Sequence, residues 1–502
     1  MDSMQFRQAL NKAREHTLSG DLTRALNLYQ RLLKIRPQAS DVLLDYGSVA
    51  AQLGEAEAAD RALAKAKELS PQNSPALLQI GHRYEAARQA RKARDCFFAS
   101  AAADPLAIDP RIRLALSFEK DQRFEDARQA AEACLVINPK DEQARYVSAL
   151  LDRRINKLEL AELNLRDLIA SKPKHEYVRY AARYELAQIL DQTNRFDEAI
   201  ECLSEGKEIV RGLADPSMLL RQYDRVANTK VRVAREYPKT VLQTWRKSFP
   251  ESLRETIPPF AFLGGHPRSG TTLLERVMGC HPSVCAIDEP FLGPIISGRG
   301  LERSGKIPVA FLNVIRRRYI KALTQELGTE VGGKFLLEKN PSPTDILPVL
   351  LRIFPELRII VALRDPRDVV LSCYFQNIPL NIANANFLTF ERLAKHYANL
   401  MDVWLSVREW KDVRWMETKY EDTVVDLERE GRRVTGFLGL VWNENQARFF
   451  DTKQKTQVHS PTYHDVTQPV YSRSVARWRN YEKYLEPILP ALEPYCRAFG
   501  YS

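Results

Sequence analysis

Five prolines at 34-residue intervals constrain this chain more than any other feature: Pro37, Pro71, Pro105, Pro139 and Pro173. Ala25, Ala59, Ala93, Ala127 and Ala161 keep the same interval, and turn-like positions lie ahead of them at Gly20, Gly54, Arg88, Gln122 and Asn156. A small residue lets two paired helices approach closely. A proline, having no N–H, closes the second helix before the next unit begins. Single units of this length cannot bury their own apolar faces, so they must stack.

Alanine in the second helix with proline just behind it, at this period, is the tetratricopeptide repeat (TPR) pattern and predicts an all-α superhelix. In NRFDEA, Ala199 takes the equivalent place 38 residues after Ala161, so a sixth unit carries a four-residue insertion. YVRYAARYELAQIL supplies its first helix. About six repeats are expected over residues 1–204. The concave face of such an array suits an extended peptide or protein partner; packing on a neighbour or forming a homodimer is the plainer role, and both stay open. Over residues 205–256 the period fades into charged helical sequence, read as a linker, and ETIPPF leads into a second domain over 257–502.

Bulk properties narrow the function classes. The seven cysteines are scattered, odd in number and without a C-x-x-C pair, which argues against a disulfide framework and a zinc site. The start, MDSMQFRQALNKAREH, is charged and amphipathic, and no run approaches the roughly 20 apolar residues of a membrane span. A reducing, cytoplasmic setting is expected. The net charge of +10 suits an anionic ligand, but nothing beyond that charge supports nucleic-acid binding.

In the second half, short apolar runs alternate with amphipathic helices. FAFLGG, KFLLEKN, LRIIVALRDP and VRWMETKYED read as strands, each leading into a helix, which implies a parallel sheet with ligands at the strand C-terminal ends. The first run enters GGHPRSGTT, where Gly265, Gly270 and Thr272 satisfy G-x-x-x-x-G-K-[ST] but Thr271 replaces the lysine. That lysine serves the β- and γ-phosphates of a nucleoside triphosphate. A strand, a glycine turn and a helix N-terminus still make an anion site, with hydroxyls from Ser269, Thr271 and Thr272 and a fork of donors from Arg268. A plain helix start is the alternative on the loop alone. Further along, Glu289 in AIDEP, Lys339 in LEKNP and Arg364 in LRDP stand at strand ends, and Ser372 lies two turns into the following helix. Four such groups at the ligand-presenting edge of one sheet favour a functional site.

PRSGTTLLERVMGCHPSV, then Glu289, Lys339 and LRDPRDVVLSCYF, in that order and spacing, resembles the sulfotransferases, nearest the tyrosylprotein-sulfotransferase-like branch and the bacterial TPR-containing members. The likeness covers about residues 258–485, and the repeats extend it. It implies a P-loop-like α/β sulfotransferase domain using 3′-phosphoadenosine 5′-phosphosulfate (PAPS), without a metal, to sulfate an acceptor hydroxyl, a protein or peptide tyrosine among them. The resemblance assigns Arg268, Ser269, Gly270, Thr271 and Thr272 to the 5′-phosphosulfate, and Arg364 and Ser372 to the 3′-phosphate. Tyr420 in ETKYED, Thr462 in SPTYHDVTQP, and Arg477 beside Trp478 behind Pro469-Val470 complete the implied donor contacts. It also implies Glu289 as the base and Lys339 as the group assisting departure of the bridging oxygen. His266 and His281 are rival bases, and His459 and His464 are outside candidates for acceptor contact. One turn after Ser372 the chain departs from the tyrosylprotein pattern, with Gln376 in place of an arginine. An inactive, nucleotide-binding TPR scaffold is the alternative reading, and an ATP-dependent enzyme a weaker one.

Overall fold

The structure, a computed structural model, describes residues 3–290, 292–296, 300–301, 305–328, 331–450 and 473–501. The chain divides into two compact units, Met1–Leu186 and Ala187–Ser502. No described helix is long and apolar enough to cross a membrane.

The first unit is a stack of helical hairpins. Ser3–Leu18 pairs with Leu22–Ile35, Ser40–Gln52 with Ala56–Glu68, and Ser74–Ala86 with Ala90–Ala103. Asp109–Lys120 then pairs with Phe124–Ile137, and Glu142–Arg154 with Leu158–Ala170. Helix Glu176–Gln192 opens the sixth repeat, and Phe196–Leu213 in the second unit follows it. The repeat columns of the sequence have direct physical counterparts. Ala25, Ala59, Ala127 and Ala161 are fully buried. The turn column adopts left-handed backbone throughout, with φ of +80° at Gly20, +78° at Gly54, and +58° at both Arg88 and Gln122. Asn156 has φ of +61°. Glycine takes this conformation freely, whereas arginine and glutamine hold it only because the packed helices on both sides fix the turn. Asp21, Asn73 and Asp141 cap helix starts, accepting from the N–H of Arg24, Ala76 and Ala144 respectively.

The second unit is built on a five-stranded sheet, all parallel. Its strands are β1 (Phe260–Gly265), β2 (Val284–Asp288), β3 (Phe335–Lys339), β4 (Arg358–Leu363) and β5 (Arg414–Lys419), in the order β2-β3-β1-β4-β5. Central β1 and β3 are buried at every residue, because helices cover both faces, while edge strand β5 is buried only at intervals. Ala261 and Leu263 pack with Leu274 and Met278 of helix Thr271–Gly279 on one face. Phe260 packs on Tyr319 and Phe354 on the other. Helix Ser217–Glu236 joins this unit through Asp224, which takes Arg392 at 2.8 Å.

Strand order matters for the site. From β1 the chain moves outward to β2, returns through β3, and then crosses β1 to reach β4. That reversal puts the carboxyl ends of β3, β1 and β4 side by side, where open parallel sheets bind ligands. The register sets Leu263 beside Lys339, Asp288 beside Lys339, and Leu363 beside Lys419. Residues just past those ends therefore share one edge.

Candidate active site

The loop between β1 and helix Thr271–Gly279 is shaped by backbone that side chains would obstruct. Gly265 has φ of +135°, and a Cβ there would collide with the carbonyl of Ala362 on neighbouring β4. Gly270 has φ of +87°, and a Cβ would come within 2.7 Å of the Tyr420 ring. Between them Arg268 holds φ of +74° without being glycine. Such strain persists only where surroundings impose it, and it concentrates at functional sites. The Thr344 hydroxyl clasps the start of the loop, accepting from Gly265 N at 2.8 Å and lying 2.7 Å from Gly265 O. The first intrahelical bond after the loop runs from Leu274 N to Gly270 O. The N–H groups of Thr271, Thr272 and Leu273 precede it, at the positive end of the helix dipole.

On the β4 side stands Arg364, one residue past the strand. Its guanidinium lies 4.9 Å over the Tyr420 ring and donates to the Arg268 carbonyl at 3.2 Å and to the Ser474 carbonyl. Its Nε is buried and has no hydrogen-bond partner among the described residues. Asp368 lies 3.9 Å from the same guanidinium; its other oxygen accepts from Trp478 N at 2.7 Å, and burial lifts its carboxyl to about 6. Arg268 Nε donates to the Ser372 hydroxyl at 3.0 Å. The loop arginine, the strand-end arginine, the helical serine and Tyr420 thus form one contiguous group. Gln376 turns back on its own helix, donating to the Ser372 carbonyl at 3.1 Å.

On the β3 side Lys339 is fully buried, with Nζ 2.8 Å from Glu289 Oε1, 3.4 Å from Thr272 Oγ1 and paired with Asp288. Burial works against its charge, but Glu289 and Asp288 outweigh that and hold its pKa above the ordinary lysine value. Glu289 has the left-handed φ of +49°, anchored by its N–H to the Lys339 carbonyl at 2.7 Å. Its side chain keeps 27% exposure while the lysine keeps none, so the carboxylate is the member of the pair that meets solvent. Glu275, one turn after Thr272, is a third acid in this cluster. Burial first, and then the charge of Asp288, push its carboxyl up to about 7, against the opposing pull of Lys339.

The raised Glu275 pKa has a stability consequence. Between pH 4.5, the ordinary glutamate value, and about 7, the folded chain holds a proton that the unfolded chain has lost, so this group's contribution falls as pH rises. Glu275→Gln, uncharged at every pH, is expected to match the parent near pH 4.5 and to exceed it by about 3 kcal/mol at pH 8. Urea unfolding at both pH values checks this, and a pH-independent difference would contradict it.

Neither rival histidine is available as a base. The His281 Nδ1 accepts from Ser283 N at 3.0 Å, and its Nε2 faces the Val441 carbonyl at 2.9 Å. His266 is buried, with ring nitrogens 2.8 Å from the Pro267 carbonyl and 2.8 Å from His396 Nδ1. Arg477 is engaged by Asp191 and Phe375. Its guanidinium lies 4.2 Å over Phe375 and pairs with Asp191 at 3.0 Å, an oxygen that also accepts from the Tyr481 hydroxyl. Thr462, His459, His464, Pro469 and Val470 lie outside the described residues. Thr344, Asp288, Glu275 and Ser474 were not singled out from sequence. Asp288 and Glu275 did carry a signal, as acids ending a strand and interrupting the apolar run TTLLERVM.

A glycine-turned loop, a helix N-terminus and cations at the ends of adjacent parallel strands define an anion-binding α/β domain of the phosphate-loop kind. Residues 259–444 match the model of the sulfotransferase family, and residues 16–79 and 146–210 match tetratricopeptide repeat models. The chain thus carries a region similar to the sulfotransferase family behind a region similar to tetratricopeptide repeats. An uncharacterized protein of Aquifex aeolicus is 25% identical over 392 residues, 74% of this chain and 48% of its own length. Protein-tyrosine sulfotransferase 1 of Danio rerio is 26% identical over 196 residues, 37% of this chain and 54% of its own. The chain thus spans about half the length of these curated relatives. Among solved structures, the sulfotransferase domain of the Synechococcus PCC 7002 olefin synthase aligns at 21% identity and a TM-score of 0.33, covering 46% of this chain and 90% of that domain.

Proposed function

We propose that this protein is a PAPS-dependent sulfotransferase that acts on an acceptor hydroxyl. The observation that carries the reading is convergence: a glutamate–lysine pair on one side of an anion loop, and on the other a buried arginine with an N–H unsatisfied among the described residues. Two separated anionic groups call for such a layout, and the missing P-loop lysine fits a ligand with no γ-phosphate. Bound PAPS supplies a sulfuryl group whose transfer forms the acceptor O–S bond, breaks the S–O bond to phosphate and releases adenosine 3′,5′-bisphosphate. The chain's own residues then have distinct tasks. The N–H groups at the start of helix Thr271–Gly279 and Arg268 neutralise anionic oxygens on the 5′ side. Arg364, Ser372 and Tyr420 hold the 3′-phosphate and nucleoside side. Glu289, the exposed member of its pair, takes the acceptor proton, and Lys339 supplies the fixed positive charge beside it.

A protein or peptide tyrosine is the favoured acceptor, supported by the similarity to protein-tyrosine sulfotransferases and by a repeat array of a kind that binds extended chains. Purified protein is expected to bind adenosine 3′,5′-bisphosphate in a calorimeter and to release it from PAPS faster when tyrosine peptides are added. Binding without turnover on any acceptor would instead support the inactive scaffold, the reading that Gln376 favours. Absence of binding would remove the donor assignment.

A further inference from the structure

The buried histidine pair beneath the loop has a determinate proton arrangement. The Pro267 carbonyl can only accept, so His266 Nδ1, 2.8 Å away, carries the hydrogen. In the neutral ring Nε2 is then the acceptor, and His396 Nδ1, at 2.8 Å, must donate to it. His396 comes from helix Phe390–Val407, far from the loop in sequence, and is itself clamped, with Tyr223 stacked at 5.3 Å and Phe387 edge-on at 5.6 Å. On the other side of the Pro267 carbonyl lies Arg268, whose own carbonyl accepts from Arg364 and whose Nε donates to Ser372.

We propose that His396 is a positioning residue for the anion loop: through the His266 imidazole it fixes the Pro267 carbonyl, and with it the left-handed turn that presents Arg268. The consequence for donor binding rests on the proposed PAPS reading; the effect on loop geometry does not. Burial supports the neutral state of both rings, lowering His266 to about 4 and His396 well below the ordinary histidine value. Neutrality is what the relay requires, because a charged His266 would carry a hydrogen on Nε2 and turn it against the His396 donor. The strained φ of +74° at Arg268 needs such an external support, since nothing in a Pro-Arg-Ser sequence favours it.

Three measurements test this. Imidazole ¹⁵N spectra of the unaltered protein should show His266 as the Nδ1–H tautomer; the Nε2–H form would overturn the proposal. His396→Phe keeps a ring against Tyr223 but removes the donor, and His396→Asn places an amide N–H near the position of Nδ1. The Phe variant is expected to speed amide exchange across residues 266–273 and to weaken adenosine 3′,5′-bisphosphate binding about tenfold, with kcat at saturating donor nearly unchanged. The Asn variant should recover most of both losses. Unaltered exchange in the Phe variant, or an Asn variant no better than Phe, overturns the positioning role. Failure of the unaltered protein to bind the bisphosphate would count against the donor reading, while tautomer and exchange still decide the role of His396. If the Phe variant does not fold, the tautomer spectrum of the unaltered protein decides.

Discussion

Glu289→Gln is expected to lower kcat by about 10²- to 10⁴-fold while leaving the affinity for adenosine 3′,5′-bisphosphate nearly unchanged. The first half of that expectation follows from proton accounting. An acceptor hydroxyl attacking sulfur must lose its proton, and Glu289 is the solvent-reaching carboxylate beside a buried ammonium at 2.8 Å. Glutamine keeps the shape and can still accept a hydrogen bond from Lys339, but it cannot take a proton. The second half follows from geometry. Glu289 is held by Lys339, whereas Arg268, Arg364 and Ser372 are tied to one another on the β4 side, and Asp288 continues to pair with Lys339 when Glu289 is neutral. Stopped-turnover assays with PAPS and calorimetry with the bisphosphate separate the two effects. Loss of donor binding with turnover would displace Glu289 from the base role and make it part of the donor cradle. Glu289 also holds a left-handed φ of +49° immediately before Pro290, a conformation that its surroundings must impose.

Much of this architecture is written locally. The 34-residue columns become buried alanines and left-handed turns because each repeat solves the same close-packing problem with the same neighbours. Strand ends were equally visible, since buried parallel strands are continuous apolar runs and Glu289, Lys339 and Arg364 interrupt or follow them. What the sequence could not show is which side chains meet once strands are ordered. Asp288 reaches Lys339 only because β2 pairs with β3 in that register. His266 meets His396 across 130 positions of sequence, and Arg477 meets Asp191 across 286. The motif behind the Arg477 assignment specifies residue types and spacing, whereas the direction of a long arginine is settled by the nearest carboxylate and aromatic face, here Asp191 and Phe375. The charged segment after the repeats was opaque for the same reason. Its helices are anchored by scattered long-range contacts, such as Lys207 to the Phe387 carbonyl at 2.7 Å and Lys230 to Asp345 at 2.7 Å, and these leave no period behind.

Lys339→Met is expected to cost about 3–5 kcal/mol of stability in addition to a severe loss of turnover. The lysine is the cation that Glu289, Asp288 and Thr272 contact, and Glu275 also feels its charge. Replacing it with an apolar chain of similar length preserves packing but leaves buried carboxylates facing one another. Their folded-state pKa values must then rise above the unfolded ones, so the folded variant binds protons that the unfolded chain releases. The sign is therefore fixed: the variant's deficit is smallest below about pH 3, where carboxylates are largely protonated in both states, and grows as pH rises through neutrality. Urea unfolding of variant and parent at pH 5 and pH 8 measures this, and a deficit that does not change with pH would mean the lost contacts are not electrostatic. Adding Asp288→Asn to Lys339→Met removes one of the uncompensated charges and should return part of the stability at pH 8. It should return none of the activity, because the positive charge beside the site of transfer is still absent. Recovery of both together would reduce Lys339 to a structural ion pair, whereas recovery of stability alone assigns it a part in the chemistry.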